Sequence, residues 1–444
     1  MSRILAIWLV LYFGGLLLAF LHPIYPFVSY LVFYYAPPHV NWWGRFLPEL
    51  RFSLLASLVM LGALALRAGQ LEPLKEEKNP ALLWLLLFGL NTVVVTAWAL
   101  DRARSWIWTV ALLKLVLLYA LIPAVVRTPA HFDIFAATHI GGATYWGYKA
   151  WDNPQRRQGR LEEVGGPDTQ NDNQAASHLL TVLPFVAVYA FSVKRHLTRA
   201  LVLICGAFIV NVIILCNSRG ATLGLLAMVS AAILAAGKGR RSAIVGVAVA
   251  GLASFLFLAD PEFIQRQQTT ASPTDGSAQG RLESWVAGVE LIKDHPLGGG
   301  GRAFHILSPQ YIPQIVEDHA GEERSVHNTY LQLGAEWGVQ GLVLWLGFLG
   351  ATFLLLWKAC RRSRAAPWYF YRFLAIMLAL IGRLTAGIFT TAFYGESIYW
   401  MCALAFALHR MYATEHAPEV AAPAVAPAFA TTVGMKGTRP IAAP

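Results

Sequence analysis

Apolar residues occupy the chain in long blocks separated by short polar breaks. The blocks fall near 3–21, 24–36, 52–67, 81–99, 106–126, 175–192, 199–216, 220–236, 242–259, 336–357, 369–390 and 392–410. Most approach the roughly 20 apolar residues that cross a bilayer as a helix, and only helices sustain so many separate spans. The pattern predicts an all-α integral membrane protein with about 12 transmembrane helices. Block 24–36 is short and runs into Pro37-Pro38, which marks a broken or tilted span. The first block is too long for a signal peptide and lacks a small-residue cleavage site, so it is expected to remain as the first span.

The polar breaks set the orientation. VKRHLTR (193–199), GKGRR (237–241) and WKACRRSRAAPW (357–368) fall on one side of a twelve-span chain, which the positive-inside rule makes the cytoplasm, with both termini. Loop 67–80 is dissonant, because it carries three basic residues yet is placed outside. Segments 127–174 and 260–335 then face outward together, with the short link CNSRGAT (216–222). The expected organisation is nine spans within 1–259, including outer loop 127–174, then a loop domain at 260–335 and three spans within 336–412. A disordered cytoplasmic tail fills 413–444, rich in Ala and Pro from residue 417.

Composition agrees with a membrane protein. Hydrophobic residues make up 56% and charged residues 14%, against about 25% charged in soluble domains. The net charge of +10 is accounted for by Lys and Arg in cytoplasmic loops. No basic, aromatic-interleaved soluble domain is present to carry nucleic-acid binding. The four cysteines are scattered, with no metal-site or disulfide spacing.

The candidate chemistry gathers in the outer segments. Within 281–294, Leu282, Trp285, Val286, Val289 and Ile292 form a stripe at helical spacing, ended by His295-Pro296. A second helical stretch is expected over 308–318. Gly298–Gly301 between them form either a turn that brings backbone N–H groups to a ligand or a flexible linker; no Gly-Lys-Ser/Thr follows, so it is not a P-loop. Arg219 begins an apolar helix and Arg281 opens the amphipathic one, and guanidinium groups suit phosphate oxygens. Arg383 lies within a span, either as a functional charge or in a structural pair with a partner such as Glu396. His327 sits at a helix mouth, able to act as a base, a phosphate ligand or a structural residue, and Asn328 beside it suits an N-cap. Arg302, Arg324 and Glu336 are further polar residues close by. Asp168 and Asp172 keep a metal conceivable, although no dense carboxylate cluster is evident.

NSRGATLGLLA (217–227), QGRLESWVAGVELIKDHPLGGGG (279–301) and SVHNTYLQLGAEWGVQGLVLWLG (325–347) together resemble the O-antigen ligase and polymerase superfamily of bacterial membrane glycosyltransferases. QNDNQAASHLLTVLP (170–184) and PPHVNWWGR (37–45) are similar to its exosortase-associated O-glycosylation ligase branch. The resemblance implies a glycosyltransferase-C-like bundle with a large periplasmic helical loop, in the bacterial inner membrane. It implies an undecaprenyl-diphosphate-linked glycan donor and a hydroxyl acceptor, most simply lipid A-core, with no cofactor and no metal. It maps the catalytic histidine onto His327 and the diphosphate-binding arginines onto Arg219 and Arg281. Arg302, Arg324, Glu336 and Arg383 receive no family role. A polymerase, a protein O-oligosaccharyltransferase and, in a different class, a membrane transporter remain rival readings.

Overall fold

The computed structural model describes residues 2–152, 154, 156–157, 160–161, 164–169, 171–235, 241–242, 245–246, 276–318 and 320–416. The expected span at 242–259 is almost wholly outside these residues, and so are the first part of loop 260–335 and the tail from 417. The described chain is helical apart from a two-residue antiparallel pair, Arg156–Arg157 with Arg160–Leu161.

The first six helices are α1 (Arg3–Leu17), α2 (Ile24–Tyr35), α3 (Phe52–Arg67), α4 (Pro80–Thr96), α5 (Arg102–Val125) and α6 (Pro129–Asp152). They are followed by α7 (Asp172–Leu179), α8 (Leu183–Ser192), α9 (His196–Leu215) and α10 (Arg219–Ala235). After the undescribed stretch come α11 (Gly276–Asp294), α12 (Ala303–Tyr311) and α13 (Pro313–Glu317). The chain closes with α14 (Thr329–Arg362), α15 (Pro367–Ala386) and α16 (Glu396–Glu415). Among the described residues, seven helices or helix pairs are long and apolar enough to cross a membrane, and α4 and α10 are shorter apolar helices. Side-chain caps written in the sequence start several of them: Asn79 before Pro80, Asp101, Asn171 and Asn328 each accept from backbone N–H groups of the first turn.

The largest departure from the apolar pattern is α6. Residues 129–152 were expected in an outer loop, but they form a 24-residue helix packed on α2 and α9. Its polar residues hid it, and the bundle satisfies them: Asp133 pairs with Arg372 at 3.0 Å and accepts from Tyr189, and His139 bonds the Tyr35 hydroxyl at 2.5 Å. This extra traverse changes which loops share an end. Loop 67–79 meets the C-terminal end of α16, through Lys75 N–H to Thr414 at 2.8 Å and Glu77 beside His409. Arg127 also donates to the Glu72 carbonyl. At the opposite end, Leu100 N–H donates to the Gly299 carbonyl at 2.9 Å. The expected topology put loop 67–80 and the end of α16 on opposite sides, and likewise Leu100 and Gly299. The N-terminal helices are therefore inverted relative to that topology, and loop 67–80 joins the other basic loops.

Smaller corrections have local causes. The block 175–192 is two helices, α7 and α8, with Pro184 in the first turn of the second. The stretch 308–318 is also two short helices, broken at Ile312 before Pro313. The tenth expected span begins at Thr329 rather than 336 and is interrupted at Gly338, whose φ of 78° no helix accommodates. In α11 the expected stripe divides. Leu282, Val286 and Val289 are exposed, while Ser284, Ala287 and Leu291 are buried. Ala287 and Leu291 join Phe304, Leu307, Val326 and Ala335 in a satellite core.

Candidate functional site

Three polar helix starts, the middle of α11 and one loop converge at the end opposite the basic loops. The loop, 387–395, links α15 to α16. α14 is tied to it through Thr329, whose N–H donates to the Gly387 carbonyl at 2.9 Å and whose hydroxyl donates to Thr390 at 2.7 Å. α10 abuts it at Gly220, where an added Cβ would lie 3.0 Å from Phe389. α11 reaches it through Trp285, whose ring centre is 5.7 Å from that of Phe389. The first turn of α7 joins through Gln174 to the Thr391 carbonyl at 3.3 Å and through Asn173, which accepts from Ser218 at 2.8 Å.

The elements that meet at this loop carry three of the expected residues. Arg219 is the first residue of α10, between Ser218 and Gly220. Arg281 lies one turn before Trp285 on α11. His327 precedes the α14 N-cap. Asn328 is that cap, accepting from Tyr330 and Leu331 at 2.9 and 3.1 Å, so His327 is spared capping. All three side chains are half-buried. Their loops are also strained: Asn217, Arg302 and His327 are three of the four described non-glycine residues with positive φ. Left-handed backbone in L residues costs energy and gathers at functional sites.

Arg302, with φ 66°, stacks over the Trp108 ring at 4.1 Å and donates to His305 Nε2 at 2.6 Å. His305 was missed by sequence reasoning, because AFHILS reads as an ordinary apolar helix. It is buried, and its Nδ1 has no hydrogen-bond partner among the described residues. Burial, then the charges of Arg302, His327 and Arg104, pull its pKa down to about 3. Neutral His305 therefore supports the fold fully above its unfolded value near 6.5, and that support declines as pH falls toward 3. His305→Gln is expected to remove about 2 kcal/mol of the destabilisation between pH 6.5 and pH 5. Thermal unfolding of both proteins in detergent at the two pH values measures this; parallel acid limbs would count against it.

Glu336 is fully buried and fully engaged. Its carboxylate accepts from Gln332 at 2.7 Å, Tyr394 at 2.5 Å and the Arg302 backbone. It holds the glycine turn, α14 and loop 387–395 together. The turn itself is neither a ligand cradle nor a flexible linker. Gly298 to Gly301 donate, in order, to the His295 carbonyl, the Ala335 carbonyl, the Glu336 carbonyl and Ser105 Oγ at 2.8–3.1 Å. Arg324 donates its backbone N–H to Ser308 at 2.9 Å, which anchors the loop leading to His327.

Arg383, one turn before loop 387–395, is fully buried and donates to the Gln174 carbonyl at 3.0 Å and to Ser177. Its acidic neighbour is Asp168, not the expected Glu396. Asp168 accepts from Tyr34 and, at 2.6 Å, from the Glu396 backbone N–H. Glu396 accepts from Tyr30 at 2.7 Å. Asp168 is thus engaged by hydrogen bonds rather than set among metal ligands. Among the described residues, the group with metal-ligand spacing is His22, Glu72 and His131, at the basic end. There His22 Nδ1 accepts from Ile24 N–H at 3.0 Å, and Arg67 and Arg127 add positive charge, which suits a cation poorly.

Residues 201–346 match a family model described as O-antigen ligase. That match supports the O-antigen ligase superfamily. The O-antigen ligase match contains Arg219, Arg281 and His327, together with the glycine turn and Glu336. It supports an O-antigen ligase- or polymerase-like glycosyltransferase, and with the apolar helices a multi-pass membrane protein. A search of curated proteins finds no match to the chain.

Proposed function

We propose that this protein transfers a glycan from undecaprenyl diphosphate to an acceptor hydroxyl at the end of the bundle that carries loop 387–395. The observation that carries the reading is the convergence of α10, α11 and the start of α14 on loop 387–395, because these elements bear Arg219, Arg281 and His327. Reading the basic end as cytoplasmic makes the site periplasmic, in the bacterial inner membrane. Lipid A-core is the simplest acceptor. The architecture is then of the glycosyltransferase-C type, with 260–335 as the periplasmic loop domain.

The chemistry follows from the donor. The diphosphate is a good leaving group, so the energy for transfer is already stored. Negative charge grows on it as the bond to the anomeric carbon breaks. Arg219 and Arg281, fixed at a water-poor boundary, stabilise that charge more than they stabilise the bound donor. His327 takes the proton of the attacking hydroxyl. Attack opposite the departing diphosphate inverts the anomeric carbon. With arginines on the diphosphate, the scheme needs no metal.

Lipid-linked glycan incubated with separate acceptors, followed by mass spectrometry, tests the reading. Capped lipid A-core supports it. Long lipid-linked polymer would instead make the protein a polymerase, a glycosylated protein would make it a protein oligosaccharyltransferase, and transport without a glycosidic product would make it a carrier. Arg281→Lys is expected to lower turnover roughly tenfold or more, because a compact ammonium replaces a bidentate fork. Unchanged turnover and donor KM in that variant would remove Arg281 from the diphosphate site.

A further inference from the structure

A cavity lies at the basic end, at the opposite end of the bundle from loop 387–395. It is a groove of about 870 Å³ bounded by α4, α14, α16 and loop 67–79. Its lining changes character along its length. Trp84, Gly350 and Leu354 make an apolar floor, while Lys75, Lys78, Lys358 and Arg362 make a cationic rim. The carboxylate in the lining, Glu77, pairs with Lys75 at 3.4 Å and faces His409 at 3.9 Å, which leaves the rim net positive. The groove exists because α14 offers small residues to this face. A Cβ at Gly347 would strike the Trp84 ring at 2.6 Å, whereas Gly350 opens onto empty space.

We propose that the groove binds an anionic phospholipid, its phosphate among Lys78, Lys358 and Arg362 and an acyl chain along Trp84 and Leu354. From Gly350 to Arg362 the helix rises about 18 Å, enough to separate a tail from a headgroup. A soluble anion would use the rim and leave the floor bare. Basic pockets between membrane helices on the cytoplasmic side recognise anionic headgroups. Arg361 stacks on Trp357 at 4.8 Å on the same turn as Lys358, and such an aromatic–cation pair marks the headgroup level of a bilayer.

Native mass spectrometry of the full chain in detergent tests this, with phosphatidylglycerol, phosphatidylcholine of the same chain length and inorganic phosphate as probes. Phosphatidylglycerol is expected to bind preferentially and to resist displacement by phosphate. Each rim charge near the membrane surface is worth about fivefold, so Lys78→Gln with Lys358→Gln is expected to weaken binding about 25-fold. Gly350→Leu keeps every charge and fills open space, so it is expected to leave thermal stability intact and weaken binding several-fold. Equal retention of the two lipids, ready displacement by phosphate, or unchanged binding in both variants would overturn the proposal.

Discussion

His327→Ala is expected to lower glycan transfer at least about 100-fold while the protein still folds and inserts, since a positioned base contributes about 10²–10⁴-fold. The expectation of a folded variant rests on the division of labour at the α14 start. Asn328, not His327, caps the helix, and Thr329 ties it to loop 387–395. His327 is half-buried at φ 50°, a backbone position that alanine tolerates less well than histidine or asparagine. His327→Asn therefore separates the two contributions: asparagine accepts the left-handed backbone but cannot act as a base. Both variants should lose turnover with lipid-linked donor, measured beside thermal unfolding in detergent. If His327→Asn transfers at the wild-type rate, the imidazole takes no part in the chemistry. If only alanine fails, the residue serves the backbone.

The second large effect is on stability. Gly300→Ala is expected to cost on the order of 3 kcal/mol or more, from left-handed strain plus overpacking. Gly300 has φ 89°, and an added Cβ would run into Ala99 and lie 2.9 Å from Ser105 Oγ. Its N–H holds the Glu336 carbonyl at 2.8 Å, so relieving the clash would pull the turn from α14. Gly321→Ala is the control: φ is also positive, at 80°, but nothing lies within 4 Å. It should cost about 1 kcal/mol, from strain alone. Apparent unfolding temperatures in detergent distinguish the two. Similar small shifts for both would mean that the glycine turn is not clamped as described.

The candidate residues stood out in the sequence because their signals are local. Asn328 as an N-cap needs only the polar residue before an apolar run. Arg219 and Arg281 are conspicuous guanidinium groups in a chain so poor in charge, although only Arg219 starts its helix and Arg281 lies in the second turn of α11. Other features carried no local signal. His305 is an ordinary helical residue until Arg302 is seen at its ring. Arg383 was recognisable as a buried charge, but its neighbour Asp168 is 215 positions away and indistinguishable from other loop acids. The glycine run read as open backbone because its hydrogen-bond acceptors lie on α5, on α14 and at the end of α11.

By itself, the sequence determined the class of molecule: an α-helical chain threaded many times through an apolar phase. Hydrophobic length and capping are properties of neighbouring residues, so they can be read in order. Only the tertiary structure decided that α6 traverses the bundle, which ends of the helices meet, and which polar groups are satisfied. Asp133 and His139 make α6 look like a loop until Arg372, Tyr189 and Tyr35 are packed against it. A polar side chain in an apolar core is costly alone and tolerated when paired, and pairing across helices is a property of the folded bundle rather than of any one stretch of chain.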